Sequence, residues 1–170
     1  MGYLFDSDDI LDGEYIEKTL KSIATCDMAQ DVIFNSVVMI DEEGIPFDDG
    51  FRLERLPNKI STIIAHPFTG ATLVIGREAF IRVGGYNWHG YAEDYELTLR
   101  LMRTPHNVNI MRNPKAIYFY RQHVDTMSGS SIKKILGVRD VQLHHARAGS
   151  YFMYIGSMIS QLRIIKERFS

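Results

Sequence analysis

The stretch YLFDSDD, near the start of the chain, constrains the fold most. An apolar run, Tyr3 to Phe5, leads straight into Asp6, Asp8 and Asp9. Like charges that close repel, and unpaired carboxylates do not share a dry core. The apolar residues read as a short buried strand over Gly2–Phe5. The aspartates then fall where that strand leaves the core. In an α/β sheet this is the rim at the strand's C-terminal end, where ligands bind. If the chain stays extended, Asp6 and Asp8 point to one side. Two carboxylates so placed favour a hard divalent cation, Mn²⁺ or Mg²⁺, with substrate phosphate oxygens completing its shell. The same residues also suit an acidic helix N-terminus, with Asp8, Asp9 and Asp12 meeting the dipole.

The remaining pattern mixes strands and helices. Asp12 reads as the cap of a helix over residues 14–25, whose apolar positions Tyr15, Ile16, Thr19, Leu20, Ile23 and Ala24 recur at helical spacing. Val32–Ile40 is rich in β-branched residues and reads as a strand. A turn-rich acidic segment, DEEGIPFDDG, follows it, and a short helix is expected near Ser61–Ala65. Thr69–Ile75 reads as a strand, and Arg77–Val83 as a short helix ended by Gly84-Gly85. Glu93–Arg103 reads as a helix stopped by Thr104-Pro105. Val108–Met111 and Ala116–Arg121 read as two strands around a turn at Asn113-Pro114. After a loose MSGSS connection, two helices are expected over Ile132–Ala148 and Tyr151–Phe169. The whole predicts an α/β domain with a largely parallel sheet at its start.

The chain is long enough, at 170 residues with 45% hydrophobic content, for one domain with a real core. Its single cysteine, Cys26, excludes an intrachain disulfide and fits a reducing compartment. The net charge of −2 hides an asymmetry: residues 1–60 hold 14 acidic against 5 basic side chains, and residues 61–170 hold 7 against 14. Such a division suits a cation at one end and an anion at the other, or two solvated faces that neutralise each other.

Two further stretches carry candidate chemistry. In GGYNWHGYAEDYELTLRL, Glu93 and Asp94 open a helix. There the dipole and free backbone N–H groups keep a carboxylate ionised, which suits a general base taking a proton from a hydroxyl. Either residue is equally suited to a plain N-cap. Trp88 offers a stacking face for a sugar ring, or is a core residue. In YFYRQHVDTMS, Arg121 and His123 leave a strand on one side. His123 is placed to join Asp6 and Asp8 on a metal as neutral imidazole, or to serve as a hydrogen-bonding loop residue. Arg121 suits a diphosphate.

Four segments in this order, LFDSDDIL, TGATLVIGREAFIRVGGYN, AEDYELTLRL and YRQHVDTMS, resemble the family 2 glycosyltransferases of the glycosyltransferase A fold. The resemblance covers roughly residues 2–130. It implies the C-terminal part of a Rossmann-like domain with a mixed, mostly parallel sheet over 1–130, and a helical extension over 131–170. It also implies metal-dependent, inverting transfer of a sugar from a nucleotide-sugar donor to a hydroxyl of a glycan or lipid-linked acceptor, as in polysaccharide biosynthesis. Asp6 and Asp8 match the D-x-D metal positions, and His123 a histidine that contacts metal or diphosphate. Asp94 matches the catalytic base, with Glu93, Trp88, Arg121 and Gly70 on the substrate side. No nucleic-acid partner is implied, and a cytoplasmic location is expected, extending to the inner face of the membrane. Family members carry two or so βαβ units, roughly 60–100 residues, before the D-x-D segment. With Asp6 so near Met1, the chain is expected to be part of a larger transferase or a truncated relative with at most weak donor binding.

Two other functions compete. One is a non-catalytic relative serving as a glycan-binding or assembly module. The other is a glycoside hydrolase with paired carboxylates, although FDSDD reads better as a metal site. The tail from Tyr151 to Ile165, rich in Met, Ile, Tyr and Phe and followed by Lys166-Glu167-Arg168, suits an anionic membrane surface. The reading preferred from the sequence is a helix packed on the domain or on a second copy in a homodimer. His144 and His145 are expected to have no joint metal role, since helix neighbours point apart.

Overall fold

A computed structural model describes residues 6–47, 70–103, 109–122 and 131–169. The expected strand Gly2–Phe5, the short helix near Ser61–Ala65, Thr104-Pro105, His123 and the MSGSS connection lie outside these residues. The chain divides into two compact units. Among the described residues the first holds 6–47, 70–85, 101–103 and 109–122, and the second holds 86–100 and 131–169.

The first unit is a four-stranded sheet in the order β1-β4-β2-β3, where β1 is Ile10–Leu11, β2 Asp31–Ile40, β3 Leu73–Ile75 and β4 Asn109–Arg121. Strand β2 is buried along nearly its whole length, on both faces, as its run of Val, Ile and Phe requires. It pairs in parallel with β4, while both outer pairings, β1 with β4 and β3 with β2, are antiparallel. The largely parallel sheet expected from the sequence is therefore a mixed one, with its longest ladder parallel.

Strand β4 corrects a second expectation. Instead of two strands around a turn at Asn113-Pro114, one strand runs through. Asn113 opposes Asn35 and Ile117 opposes Ser36, so residues 114–116 have no counterpart and bulge out. Proline lacks the N–H that a regular ladder needs, and a bulge is where a strand tolerates it. A buried amide pair pins the register beside it. Asn113 Nδ2 donates to Asn35 Oδ1 at 3.0 Å, and Asn35 Nδ2 donates to the Tyr15 hydroxyl at 2.7 Å and Thr19 Oγ1 at 3.1 Å.

Those last two residues belong to α1, Tyr15–Ile23, which packs on β4. They form its buried face, whereas Ile16 and Leu20, expected inside, are exposed. The polar demand of Asn35 and the edge-to-face contact of Tyr15 with Tyr118, centroids 6.2 Å apart, select this face over the more apolar one. Asp12 does not cap the helix. Glu14 stands at the N-cap with no side-chain bond, and the Asp12 carboxylate accepts from Lys18 Nζ at 2.6 Å.

The expected strand from Thr69 begins only at Leu73, after a 3₁₀ turn over Gly70–Thr72. Helix α2, Arg77–Arg82, follows and closes as expected on Gly84 and Gly85, both at positive φ, whose N–H groups return to Ile81 and Phe80 carbonyls. At its entry a Cβ on Gly76 would lie 2.0 Å from the Met28 carbonyl oxygen, so only glycine fits.

The second unit is helical. Helix α3, Glu93–Arg103, has the span expected from the sequence, and its residues from Leu101 group with the first unit. Helices α4, Ser131–Arg147, and α5, Phe152–Phe169, pack together as the two expected C-terminal helices. Tyr95 and Leu99 of α3 meet Val141, Ala146 and Met153 in an apolar core, flanked by Trp88, Ala92 and Val138. A polar chain crosses the same unit. Ser160 Oγ donates to Gln142 Oε1 at 2.9 Å, and buried Glu96 takes Arg100 at 2.7 Å and faces His145 Nε2 at 3.2 Å. His145 thus lies against Glu96 while its neighbour His144 lies by the Trp88 ring, and the two imidazoles, expected to point apart, meet edge to face with centroids 5.5 Å apart.

Candidate functional site

The candidate residues fall into two groups, one in each unit. The first surrounds Asp6–Asp9, which forms a turn closed by the Asp9 N–H on the Asp6 carbonyl at 3.3 Å. Strand β1 follows the turn directly, so these aspartates do not open a helix, and the alternative of an acidic helix N-terminus is overturned. The three carboxylates divide by burial. Asp9 is 8% exposed, while Asp6 and Asp8 are exposed.

Asp9 anchors the turn. One carboxylate oxygen accepts the Tyr118 hydroxyl and the other accepts the Arg121 backbone N–H at 2.7 Å. Burial pushes the Asp9 carboxyl up, against these hydrogen bonds, and the charges of Asp8 and Asp6 push it the same way. The Tyr118 hydroxyl is raised by burial and by its bond to Asp9. The sequence singled out the pair Asp6 and Asp8 and missed the anchor. Only the β1–β4 pairing, which sets Leu11 opposite Tyr118, brings Tyr118 to Asp9.

Arg121 ties the same turn to its neighbour. Its Nε donates to the Asp8 carbonyl at 2.8 Å, and its Nη1 to the Asp41 carbonyl at 3.1 Å and to that of Glu42. The second turn, Asp41–Ile45, is closed by Asp41 Oδ1 on the Ile45 N–H at 2.7 Å and by Gly44 at φ 88°. The guanidinium holds these two acidic turns together by bonds to their backbone. Gly70 begins the 3₁₀ turn before β3 in the same unit.

Donor chemistry tests the fit of a divalent metal. Among the described residues no group of three or more His, Cys, Asp or Glu side chains could hold a metal ion. Asp6 and Asp8 supply two hard oxygen donors. That set fits a cation that takes its remaining ligands from substrate phosphates and water, as Mg²⁺ does.

The second group lies where the chain enters α3. Asp94 is half-buried in the first turn, and its Oδ1 accepts the Tyr95 N–H at 2.7 Å. Glu93 beside it is exposed. Ala92, just ahead, sits at φ 67°, a left-handed conformation that costs a residue with a Cβ about 1–2 kcal/mol. Trp88 closes the loop, its Nε1 donating to the Tyr91 carbonyl at 2.9 Å. Tyr91 in turn crowds α4: a Cβ on Gly137 would lie 2.5 Å from the Tyr91 Cβ. Trp88 is half-buried and packs against the apolar core, the second of the two readings of it. Tyr86 was not singled out from the sequence. Burial, then the charges of Asp94 and Glu93, push its hydroxyl up. The only sequence signal for it was its place directly after Gly84-Gly85.

No family model matches the chain, and no solved structure does. The chain is similar to the amylovoran biosynthesis glycosyltransferase AmsE of Erwinia amylovora, with 33% identity over 110 residues. The match takes in 61% of this chain and 38% of that protein, so the chain spans well under half the length of a relative named as a glycosyltransferase.

Proposed function

We propose that this chain carries the metal-side and acceptor-side residues of a glycosyltransferase. The reaction is transfer of a sugar from a nucleotide-sugar donor to a hydroxyl of a glycan or lipid-linked acceptor, with inversion, in polysaccharide biosynthesis. The observation that carries the reading is the similarity to AmsE over 110 residues. The order of the acidic turn, the Gly84-Gly85 close and the acidic start of α3 supports it, and so does the fold as described. Family 2 membership and the glycosyltransferase A fold belong to the proposal.

In this reading Asp94 takes the proton from the acceptor hydroxyl as the oxygen attacks the anomeric carbon. Its place in the first turn of α3 supports the role, because a carboxylate there meets the favourable end of the helix dipole. Glu93 and Tyr86 orient the hydroxyl, and Trp88 supports the loop that does so. Asp6, Asp8 and His123 would hold Mn²⁺ or Mg²⁺. Bound there, the cation would offset the charge that develops on the departing diphosphate. Asp9 and Tyr118 keep Asp6 and Asp8 turned outward, and Arg121 positions their turn through the Asp8 carbonyl. Gly70 is assigned to the substrate side. A cytoplasmic location belongs to the same proposal and rests on the lone Cys26.

The test measures nucleoside diphosphate released from a panel of nucleotide-sugars with Mn²⁺ and glycan-lipid acceptors. The expected result is release that needs both acceptor and cation and that disappears in Asp94→Asn. Release that persists unchanged after chelation, or in Asp94→Asn, contradicts the assignment.

A further inference from the structure

Helix α5 places its small residues inside and its large apolar ones outside. The buried face is Met153, Gly156, Ser157, Ser160 and Ile164. The outward face carries Tyr151, Ile155, Met158, Leu162, Ile165 and Phe169, each four or three residues from the next. All are exposed, Met158 by 67%, Leu162 by 65% and Phe169 by 88%. Phe152 and Tyr154, also exposed, widen the stripe on either side. At 3.6 residues per turn these positions span an arc of about 160°, broader than the seam of a coiled coil. A contiguous apolar face of this extent marks an interaction site.

Charge selects the occupant. Residues 131–169 carry seven Lys and Arg against Asp140 and Glu167. On α5 itself, exposed Arg163 and Arg168 border the apolar arc on opposite sides, and exposed Lys166 falls within it, between Ile155 and Phe152. A helix pairing with its own copy gains from acids and bases alternating along the margins, and α5 offers only Glu167 for that. A basic margin around a broad apolar arc matches anionic headgroups above a hydrocarbon layer. No described helix is long and apolar enough to cross a membrane, so the helix would lie along the surface.

We propose that α5 lies in the plane of an anionic phospholipid surface. Its apolar arc, from Tyr151 to Phe169, enters the acyl boundary. Arg163, Lys166 and Arg168 extend their stems over that boundary and meet the phosphates. The docking is independent of the transferase chemistry.

Co-sedimentation of this chain with phosphatidylcholine vesicles, with and without phosphatidylglycerol, tests it, beside sedimentation velocity for its oligomeric state. The expected result is binding that rises with phosphatidylglycerol content and falls with salt. The double variant Lys166→Gln/Arg168→Gln should bind about thirtyfold more weakly. Met158→Glu/Leu162→Glu should abolish binding while melting near the parent temperature, since it leaves the buried face intact. If that variant fails to fold, the parent chain's response to phosphatidylglycerol and salt still decides. Equal binding to both vesicle types, or binding to neither, overturns the proposal. So does a dimer that Met158→Glu/Leu162→Glu splits in the absence of vesicle binding.

Discussion

The turn Asp6–Asp9 and the loop from Trp88 to Asp94 both present carboxylates, and different forces hold them. At the turn a side chain does the holding: buried Asp9 is gripped by the Tyr118 hydroxyl and the Arg121 N–H, which leaves Asp6 and Asp8 outward. At the loop the backbone does it. Ala92 sits at φ 67°, Trp88 bonds the Tyr91 carbonyl, and Gly137 leaves the space into which Tyr91 packs. A turn anchored by one buried acid tolerates backbone change and is sensitive to loss of a hydroxyl. A loop anchored by close approach and a strained residue shows the reverse sensitivity. The two can therefore be broken separately.

The largest effect is expected at the loop's functional end. Asp94→Asn keeps the Tyr95 N–H bond through its amide oxygen and removes only the basic oxygen. Turnover should fall by about 10²–10⁴-fold, with circular dichroism and melting unchanged. A loss of turnover matched by a loss of fold would place Asp94 in the structure and not in the chemistry.

Gly137→Ala breaks the loop by geometry. The new Cβ meets the Tyr91 Cβ at 2.5 Å and the Tyr91 backbone at 3.2 Å. Backbone cannot step aside as a side-chain end can, so overpacking should cost about 1–3 kcal/mol. Denaturant unfolding would measure this. Because Tyr91 leads into Ala92 and Asp94, the proposed transfer should slow as well, while Mn²⁺ binding at the proposed Asp6 and Asp8 site should stay at the parent value. Equal losses at both would mean that the two regions are not independently held.

Tyr118→Phe breaks the turn by chemistry. The buried Asp9 oxygen loses its donor, and an unsatisfied buried acceptor costs about 1–3 kcal/mol. Mn²⁺ binding, followed by calorimetry, should weaken because Asp6 and Asp8 are no longer fixed outward. Adding Asp9→Asn should recover part of the stability, since the charge that burial penalises is gone. A Tyr118→Phe chain with parent stability would show that Asp9 finds another donor and that the hydroxyl does not anchor the turn.

How legible these arrangements were in the sequence follows from what decides each one. Strand β2 and helices α3, α4 and α5 are set by local pattern: β-branched runs, an acidic first turn, helical spacing. Their expected spans stood to within a residue or so. The continuity of β4 is not local. Asn113-Pro114 reads as a turn, and only β2 lying alongside, with Asn35 bonded to Asn113, turns it into a bulge within one strand. The inward face of α1 was misread because apolar spacing ranks Ile16 and Leu20 above Thr19, whereas the buried Asn35 amide needs the Thr19 hydroxyl. In the acidic stretch the sequence singled out Asp6 and Asp8 and gave no sign that Asp9 is the buried one. Burial of Asp9 depends on Tyr118, 109 residues further on. His123 lies outside the described residues, so its part in a metal site rests on the sequence pattern and the resemblance.

The smallest effect is the most direct probe of strain at the loop. Ala92→Gly keeps the same path at φ 67° without the Cβ penalty of about 1–2 kcal/mol. Glycine gives back about 0.4–1 kcal/mol through the greater freedom of the unfolded chain. The balance is a net gain of up to about 1.6 kcal/mol, or a melting temperature higher by about 2–4 °C for each kcal/mol gained in a chain of this size. If the strained residue serves to fix Asp94, the more stable variant should also be the slower one, because a glycine there lets the carboxylate wander from its proposed place beside the acceptor hydroxyl. Stability and turnover moving in opposite directions would identify Ala92 as a positioning residue. A gain in both would show that the strain is a by-product of packing Tyr91 against Gly137.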